Sequence, residues 1–297
     1  MKTLAILTPT YNRAYILAKL YDSLCIQTCN DFRWYIIDDG STDNTEETVR
    51  SFNNDNVEIV YIKKANGGKH TALNEGIKHI TEKLTFIVDS DDYLSNDAVE
   101  TIVTDWEALG DLEQLGGLSY YKAYQNGQVV GDHYPSSEML VDTYLNVRVN
   151  QAVAGDKAEV YRTDVLKQHP FPEFAGEKFL SEAIVWSAIS QSGYKLAFIA
   201  KSIYFCEYLP DGLTSAGRKY RLQNPLGTME HAKAFLCDAV CFKYRMKYML
   251  LYTATRPFAK KSIKEALAAL DRYKVSCVAC LLPGALLALY WRIKFRM

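Results

Sequence analysis

Three carboxylates stand within four consecutive positions, where Asp89, Asp91 and Asp92 surround Ser90 directly after an apolar run. Carboxylates this close repel one another unless a cation or several hydrogen-bond donors neutralise them. Oxygen ligands favour a hard cation such as Mn²⁺ or Mg²⁺, which proteins commonly share with phosphate oxygens. Acidic side chains also favour a helix N-terminus, which needs no metal. The cluster predicts a divalent-cation site, with an acidic helix start as the alternative.

A second acidic pair, Asp38 and Asp39, precedes Gly40, Ser41 and Asp43. A tight turn and a helix cap explain the glycine, the serine and the third aspartate. They do not explain two consecutive carboxylates, one of which could accept a hydrogen bond from the ring N–H of a nucleotide base. The pair predicts base binding, with a capped turn as the alternative.

A glycine pair precedes a lysine in the run Asn66-Gly67-Gly68-Lys69. Two glycines let the backbone approach a ligand closely, and Lys69 at a helix start adds positive charge near a phosphate. The spacing matches neither a P-loop nor a GxGxxG motif. The run predicts a phosphate-binding loop, with a plain glycine turn as the alternative.

Transfer of a group to a hydroxyl also needs a general base, and Glu177 and Glu182 are the candidates. Most surface glutamates are solvated bystanders, so residue type alone does not choose between the two. His70 and His231 are weaker candidates, because a lone histidine is usually structural.

The elements that must position these residues alternate along the first hundred positions. Strand-like runs at 4–7, 34–37, 57–62 and 84–88 are separated by helix-like segments at 14–27, 44–52 and 69–80. This order predicts an α/β fold with a parallel sheet and right-handed crossovers. Ligands bind such sheets outside the carboxyl ends of the strands, and all four polar motifs follow strand-like runs directly. We therefore expect one convergent site.

The pattern weakens beyond residue 110. Residues 118–124 and 128–130 suggest a hairpin around Asn126-Gly127, and a helix at 181–191 precedes a strand at 195–199. Helices are expected at 226–249 and 262–273. The run 275–291 carries no charge over 17 residues, and Pro283-Gly284 interrupts it.

Charge divides the chain unequally. Residues 1–215 carry 18 basic and 31 acidic side chains, whereas residues 216–297 carry 16 basic and 4 acidic ones. A basic tail beside an apolar segment favours an anionic membrane surface over nucleic acid. An interfacial anchor with a basic collar is favoured over a full span, and a buried helix pair, on this chain or a partner subunit, is the alternative. The seven cysteines form no disulfide framework, which fits a cytoplasmic protein attached to the inner face of the cell membrane.

Four segments together resemble the family 2 glycosyltransferases. They are TPTYNR at Thr8–Arg13, DDGSTDNT at Asp38–Thr45, NGGKHTALNEG at Asn66–Gly76 and DSDD at Asp89–Asp92. The resemblance covers about the first 110 residues strongly. It implies a GT-A fold with a mainly parallel mixed sheet, and inverting transfer from a nucleotide sugar such as a UDP-sugar. It also implies a saccharide or polyprenyl-linked acceptor in bacterial surface-polysaccharide synthesis.

The resemblance also implies roles for individual residues. The donor site comprises Thr8, Pro9, Tyr11, Asp38, Asp39, Asn66, Lys69, Asp89 and Ser90. Asp91 and Asp89 correspond to the family's DxD motif and would hold Mn²⁺ or Mg²⁺, with Asp91 the more direct ligand. Family members commonly have a Glu-Asp pair at a helix start, followed by a tryptophan and a Gly-Tyr-Lys turn.

Trp186 and Gly193-Tyr194-Lys195 allow that alignment, which puts Ser181-Glu182 where the Glu-Asp pair is expected. The base is therefore predicted to be Glu182, with Glu177 in reserve. This departure leaves open a non-catalytic nucleotide-sugar-binding module. A sugar nucleotidyltransferase is a third possibility, but it would need a glycine-rich basic loop after the first strand.

The domain prediction follows from these observations. Residues 1–215 form the GT-A domain, with a nucleotide-sugar half at 1–110 and an acceptor half at 111–215. Residues 216–297 form a basic helical extension ending in the apolar tail 275–291, and homo-oligomer formation is a further possibility.

Overall fold

A mixed sheet forms the centre of the chain, of which the computed structural model describes residues 2–53, 55–110, 112, 114–207 and 217–297. Within those residues the strands are β1 (Leu4–Thr10), β2 (Phe32–Asp38), β3 (Ile59–Lys63), β4 (Leu84–Ile87), β5 (Tyr93–Leu94), β6 (Leu115–Tyr124), β7 (Met139–Asp142), β8 (Lys157–Arg162) and β9 (Lys195–Cys206). Their order is β3-β2-β1-β4-β8-β6-β9-β5, and β7 pairs with β9 beside this path.

Three strands, β8, β5 and β7, run antiparallel to their neighbours in the sheet. Strands β1 to β4 are mutually parallel, whereas β8 runs antiparallel to both β4 and β6. Every residue of β1 is buried, as expected of a parallel strand covered on both faces. The predicted mainly parallel mixed sheet is confirmed.

Helices cover the sheet and continue beyond it. They are α1 (Leu17–Cys25), α2 (Thr45–Ser51), α3 (Lys69–His79), α4 (Ala98–Leu109), α5 (Thr163–Gln168), α6 (Ala183–Gln191), α7 (Gly217–Gln223), α8 (Pro225–Ala234), α9 (Phe242–Thr255), α10 (Ile263–Ala268) and α11 (Lys274–Phe295). A short π-helical turn occupies Leu145–Asn150. Helix α1 shows why these segments pack, since Leu17, Leu20 and Leu24 repeat at three- and four-residue spacing and are buried.

Most predicted elements are present, with shifted ends. Strand β1 continues to Thr10, so the predicted loop residues Thr8 and Pro9 belong to the strand. The turn at Asn126-Gly127 is present, and Ala123 pairs with Val129 across it. The single helix expected at 226–249 is wrong, because the chain forms α8 and α9 with a break between them.

The C-terminal helices form an apolar cluster of their own. Met229, Met249, Tyr252, Leu270 and Cys277 are buried in it. The same region joins the sheet domain, because the Ser187 hydroxyl of α6 donates to the carbonyl of Ala234 at 2.7 Å. The predicted helical extension is therefore present and packs on the domain.

Helix α11 runs through Pro283 without a break, against expectation. Its close packing on α9 explains this: a Cβ placed on Gly284 would lie 2.3 Å from Thr253 Oγ1. That hydroxyl also lies 3.1 Å from the carbonyl oxygen of Cys280, one turn before the proline. Tertiary contacts thus offset the backbone hydrogen bond that proline removes.

Candidate active site

The four polar motifs meet because the strands that carry them end at one level. Thr10 of β1 pairs with Asp38 of β2, and Asp38 pairs with Lys63 of β3. Beside them, the backbone N–H of Val88 donates to the carbonyl of Leu7 at 3.0 Å. Asp89 therefore emerges beside β1, and the expected convergence is confirmed.

Asp38 and Asp39 are buried and order the loops around them. Asp38 accepts hydrogen bonds from the Ser41 N–H at 2.7 Å and the Tyr61 hydroxyl at 2.5 Å. Asp39 accepts from the N–H groups of Gly67 and Gly68, at 2.9 and 2.7 Å, and from Lys64 Nζ at 2.9 Å. Asp39, the carboxylate that a capped turn did not explain, therefore fixes the glycine loop through its hydrogen bonds to Gly67 and Gly68.

Gly68 brings the start of α3 against the segment that carries the candidate bases. Its φ is +97°, and a Cβ there would lie 2.2 Å from the carbonyl oxygen of Lys178. Only glycine tolerates both the dihedral angle and the contact. This close approach places Lys69, the next residue, between the two halves of the domain.

Lys69 joins the acidic cluster to a candidate base. Its Nζ forms ion pairs with Asp89 and with Glu182 Oε1, the latter at 2.7 Å. Burial alone would lower the pKa of Lys69, but the two carboxylates hold it above its usual value. Burial alone would raise the pKa of Asp89, but Lys69 and Lys122 hold it well below its usual range. Both side chains therefore stay charged at neutral pH.

The other two carboxylates of the cluster lie in different surroundings. Burial and the neighbouring Asp89 raise the pKa of Asp91, whose carboxylate has no ion pair or hydrogen bond to another described side chain. Burial raises the pKa of Asp92 to about 7, against the opposing effect of Lys122. No three His, Cys, Asp or Glu side chains in the described part of the chain lie close enough to hold a metal ion by themselves.

The helix-start alternative for this cluster is wrong. Strand β5 follows the acidic residues, and α4 begins only at Ala98, whose N-cap Asp97 makes no capping hydrogen bond with its side chain. The Asp89 N–H instead donates to the Tyr204 hydroxyl at 2.9 Å.

The two candidate bases, Glu177 and Glu182, differ in how their carboxylate oxygens are hydrogen-bonded. Glu177 accepts the N–H of Leu226 through Oε1 at 2.7 Å and that of Gly227 through Oε2 at 2.8 Å. Both oxygens thus satisfy the start of α8, which corrects the expectation that Glu177 is a reserve base. Glu182 begins α6 and lines a cavity of about 350 Å³, and no described donor contacts its Oε2.

The predicted wall for a nucleotide base is only partly available. Thr8 is buried, and its Oγ1 accepts a hydrogen bond from Trp34 Nε1 at 2.9 Å, so its side chain does not face the cleft. Pro9 is also buried, whereas Tyr11 is exposed and Asn66 is half-buried. Asn66 Nδ2 donates to the carbonyl of Asp39 at 2.8 Å. The correction for Thr8 follows from the longer strand β1.

Neither histidine that was weighed as a base is suited to the task. His70 is buried on α3, and burial lowers its pKa. Burial and Arg221 lower the pKa of His231 to about 3, and its ring packs between Phe235 and Tyr248.

Several charged residues of the site carry no motif and were missed from the sequence. Lys122 lies in the apolar strand β6, 3.6 Å from Asp89 Oδ2 and 4.0 Å from the centre of the Tyr204 ring. The cavity is also lined by Arg148, Lys157, Glu159 and other residues of the second half. In the sequence, the charge of Lys122 inside an otherwise uncharged strand was the signal that could have identified it.

The family model described as "Glycosyl transferase family 2" matches residues 5–141. This segment of the chain is therefore similar to glycosyl transferase family 2. The match contains Lys69, Asp89 and Lys122 but ends before Glu182, so it covers the acidic cluster and not the candidate base.

Two relatives show how far the family 2 likeness extends. Glycosyltransferase GlyA of Streptococcus pneumoniae is 29% identical over 154 residues, which are 46% of this chain and 22% of that protein. Poly(ribitol-phosphate) beta-N-acetylglucosaminyltransferase TarS of Staphylococcus aureus is 28% identical over 178 residues, which are 58% of this chain and 30% of that protein. The chain therefore spans less than a third of these relatives.

Two solved structures share the architecture of this chain. S. aureus TarS 1–349 in complex with UDP-GlcNAc has a TM-score of 0.64 at 20% identity, covering 96% of this chain and 80% of that chain. The mannosyltransferase PcManGT from Pyrobaculum calidifontis, in complex with GDP-Man and Mn²⁺, has a TM-score of 0.59 at 21% identity, covering 97% and 80%. At these identities the likeness concerns the fold, which is GT-A with a helical C-terminal region.

Proposed function

We propose that this protein is an inverting glycosyltransferase that moves a sugar from a nucleotide-diphosphate sugar, such as a UDP-sugar, to a hydroxyl of a saccharide or lipid-linked acceptor. The observation that carries the proposal is the contact of Lys69 with both Asp89 and Glu182. It joins a candidate diphosphate site to a candidate base on the wall of one cavity. The family 2 domain and the UDP-GlcNAc bound by TarS support a nucleotide sugar as donor.

The acidic cluster suits a divalent cation. Mg²⁺ and similar hard cations are often held by one or two carboxylates, with phosphate and water completing the shell, so three protein ligands are not required. Asp91 fits because its carboxylate is desolvated and has no described protein partner. Asp91 would be the direct ligand and Asp89 the second, and Mn²⁺ in the PcManGT complex supports the choice of ion. The bound ion would offset charge on the departing diphosphate.

The remaining donor contacts follow from exposure and charge. Tyr11, beside the end of β1, and Asn66 in the glycine loop would flank the base, which would share Asp39 with Lys64. Lys69 would add positive charge next to the diphosphate, and Ser90 would contribute to the same pocket. Pro9 and Asp38 would act mainly by fixing the loops, because Pro9 lies within β1 and Asp38 accepts from the Ser41 N–H and the Tyr61 hydroxyl.

Glu182 would be the general base. It lines the cavity, its Oε1 accepts from Lys69, and its Oε2 has no described donor. The acceptor hydroxyl would give its proton to Oε2 while its oxygen attacks the anomeric carbon. The bond to the nucleoside diphosphate breaks in the same step, and attack from the opposite side inverts the configuration.

The outer face of α11 would attach the protein to anionic lipid, on the inner face of the cell membrane. Its exposed residues repeat at three- and four-residue spacing: Val275, Val278, Leu282, Leu286, Leu289 and Ile293. Helix α11 is long and apolar enough to cross a membrane by length and composition. Its other face, however, packs on α9, which carries Lys243, Arg245 and Lys247. Peripheral attachment leaves those charges outside the hydrocarbon.

A panel of nucleotide sugars tests the proposal. We expect one donor to release its nucleoside diphosphate in the presence of Mn²⁺, and EDTA to abolish the release. Asp91→Ala should abolish turnover, whereas Asp164→Ala, at an exposed carboxylate outside the cleft, should not. Hydrolysis of no donor by the wild type, or full activity of Asp91→Ala with EDTA, would contradict the proposal.

A further inference from the structure

The cavity behind Glu182 carries more positive charge than its own carboxylates neutralise. Among the residues that the structure describes, six basic and four acidic side chains line it. Two of the basic groups already form ion pairs. Lys69 pairs with Asp89 and Glu182, and Lys122 pairs with Asp89 and Asp92. Four more remain on the cavity wall: Arg148, Lys157, Lys178 and Arg221. None of these four forms an ion pair with a described carboxylate.

Arg148, on the π-helical turn, is the least satisfied member of this cluster. Its Nη2 donates to the carbonyl of Gly155, but Nε and Nη1 are buried without a hydrogen-bond partner. Burying unpaired guanidinium donors is costly, and a native protein rarely leaves them so without a ligand. A guanidinium presents a planar fork of donors that matches the oxygens of a carboxylate or phosphate.

Neighbouring carboxylates, among them Asp156 and Glu159, offset this charge only in part. Burial and the nearby Arg148 lower the pKa of Lys157 to about 8. Burial also raises the pKa of Glu159 to about 7, so it is only partly ionised at neutral pH. Lys157 Nζ donates to the carbonyl oxygens of Val130 and Ala154 at 2.8 and 3.3 Å, which supply no full negative charge.

The position of the cluster assigns it to the acceptor. The four residues come from the π-helical turn, β8, the segment before α6, and α7, all of which lie beyond residue 110. They share one cavity with Glu182, which as the proposed base would take the proton of the hydroxyl to be glycosylated. Groups next to that hydroxyl must therefore lie among these side chains.

We propose that the acceptor is anionic, and that Arg148, Lys157, Lys178 and Arg221 bind a phosphate or carboxylate group close to the hydroxyl that receives the sugar. This inference rests on the proposed function, since it concerns the second substrate of the same site. It excludes a neutral saccharide as the preferred acceptor.

Small probes test the anion site without knowledge of the full acceptor. Binding of glycerol 3-phosphate, glucuronate, glycerol and glucose to the full-length protein is measured by calorimetry in EDTA. We expect at least one anionic probe to bind about tenfold or more tightly than its neutral counterpart. Preference for glycerol 3-phosphate points to a phosphate acceptor, and preference for glucuronate to an acidic sugar. Equal binding of anionic and neutral probes would overturn the proposal.

A double variant identifies the residues responsible. Lys178→Gln with Arg221→Gln changes two exposed positions and should remove the preference for anions. Arg50→Gln with Lys78→Gln makes the same change in charge outside the cavity, and should keep it. An unchanged preference in the first variant would overturn the assignment. If the double variant does not fold, each single variant carries the test.

Nucleoside diphosphate release without acceptor reports on the donor site separately. Loss of this release in step with loss of anion binding would overturn the proposal, because the cluster would then serve the donor diphosphate. If the wild type prefers anions but hydrolyses no donor, the glycosyltransferase proposal fails and the anion site stands.

Discussion

The two sides of the cleft differ in how their charges are satisfied. On the donor side, Asp38, Asp39 and Asp89 each have protein partners, supplied by backbone N–H groups, tyrosine and lysine. On the acceptor side, Arg148 keeps two buried donors without a partner. Apart from Asp91, whose carboxylate has no described partner, the donor side is therefore organised by the protein itself, whereas the acceptor side leaves charge for a ligand to complete.

Charged groups that the protein already holds in place affect the rate of sugar transfer as well as the binding of substrates. Groups already held in place need little reorganisation when charge develops, and electrostatic stabilisation is commonly the largest contribution to catalysis. Lys69 stands between the two sides, since it contacts Asp89 of one and Glu182 of the other. Changes at Glu182, Gly68 and Glu177 should separate chemistry, positioning and stability.

Glu182→Gln should have the largest effect. The amide keeps the size of the side chain and can accept from Lys69, but it cannot take a proton at neutral pH. We expect kcat for sugar transfer to fall by about 10²- to 10⁴-fold, with little change in donor affinity. Steady-state transfer and donor titration measure the two quantities. Retention of more than about half of the wild-type kcat would remove Glu182 as the base.

The donor side could be predicted from the sequence because its chemistry is local. Each motif follows a strand directly, so the order of strands already brings Asp39, Lys69 and Asp89 to one edge. Periodicity also predicted β2, β4 and α3 to within about two residues. Periodicity could not show that β1 continues to Thr10. Within this longer strand the Thr8 side chain is buried and accepts a hydrogen bond from Trp34.

The acceptor side could not be predicted in this way. Arg148, Lys178 and Arg221 are far apart in sequence and share no motif. They lie in the π-helical turn, the segment before α6, and α7, and only the tertiary fold brings them to one cavity. The role of Glu177 depends on the start of α8, about fifty residues later. The path of α11 through Pro283 likewise depends on its packing against Thr253.

Gly68→Ala should have an intermediate effect, on position more than chemistry. The new Cβ would meet the Lys178 carbonyl oxygen at 2.2 Å, at a φ of +97° that alanine rarely adopts. We expect a loss of about 1–3 kcal/mol in the free energy of unfolding, together with lower kcat because Lys69 moves. Chemical denaturation and transfer assays measure both.

Gly127→Ala is the matched control for that change. Gly127 has a φ of +82°, with no heavy atom within 4 Å of an added Cβ. The substitution Gly127→Ala therefore measures the cost of the dihedral angle without a contact like that between Gly68 and Lys178. It should leave kcat unchanged. Equal stability losses and equal kcat in the two variants would show that the approach of Gly68 to Lys178 does not position Lys69.

Glu177→Gln should have the smallest effect, and on stability alone. The amide retains one acceptor oxygen but turns an NH₂ group toward a backbone N–H at the start of α8. We expect a loss of about 1 kcal/mol, which lowers Tm by about 2 °C in a chain of this size. Calorimetry detects the shift, while kcat should remain within about twofold of wild type, because both oxygens of Glu177 serve the helix. A large fall in kcat with unchanged Tm would reverse the contrast with Glu182, and would return Glu177 to the chemistry of the site.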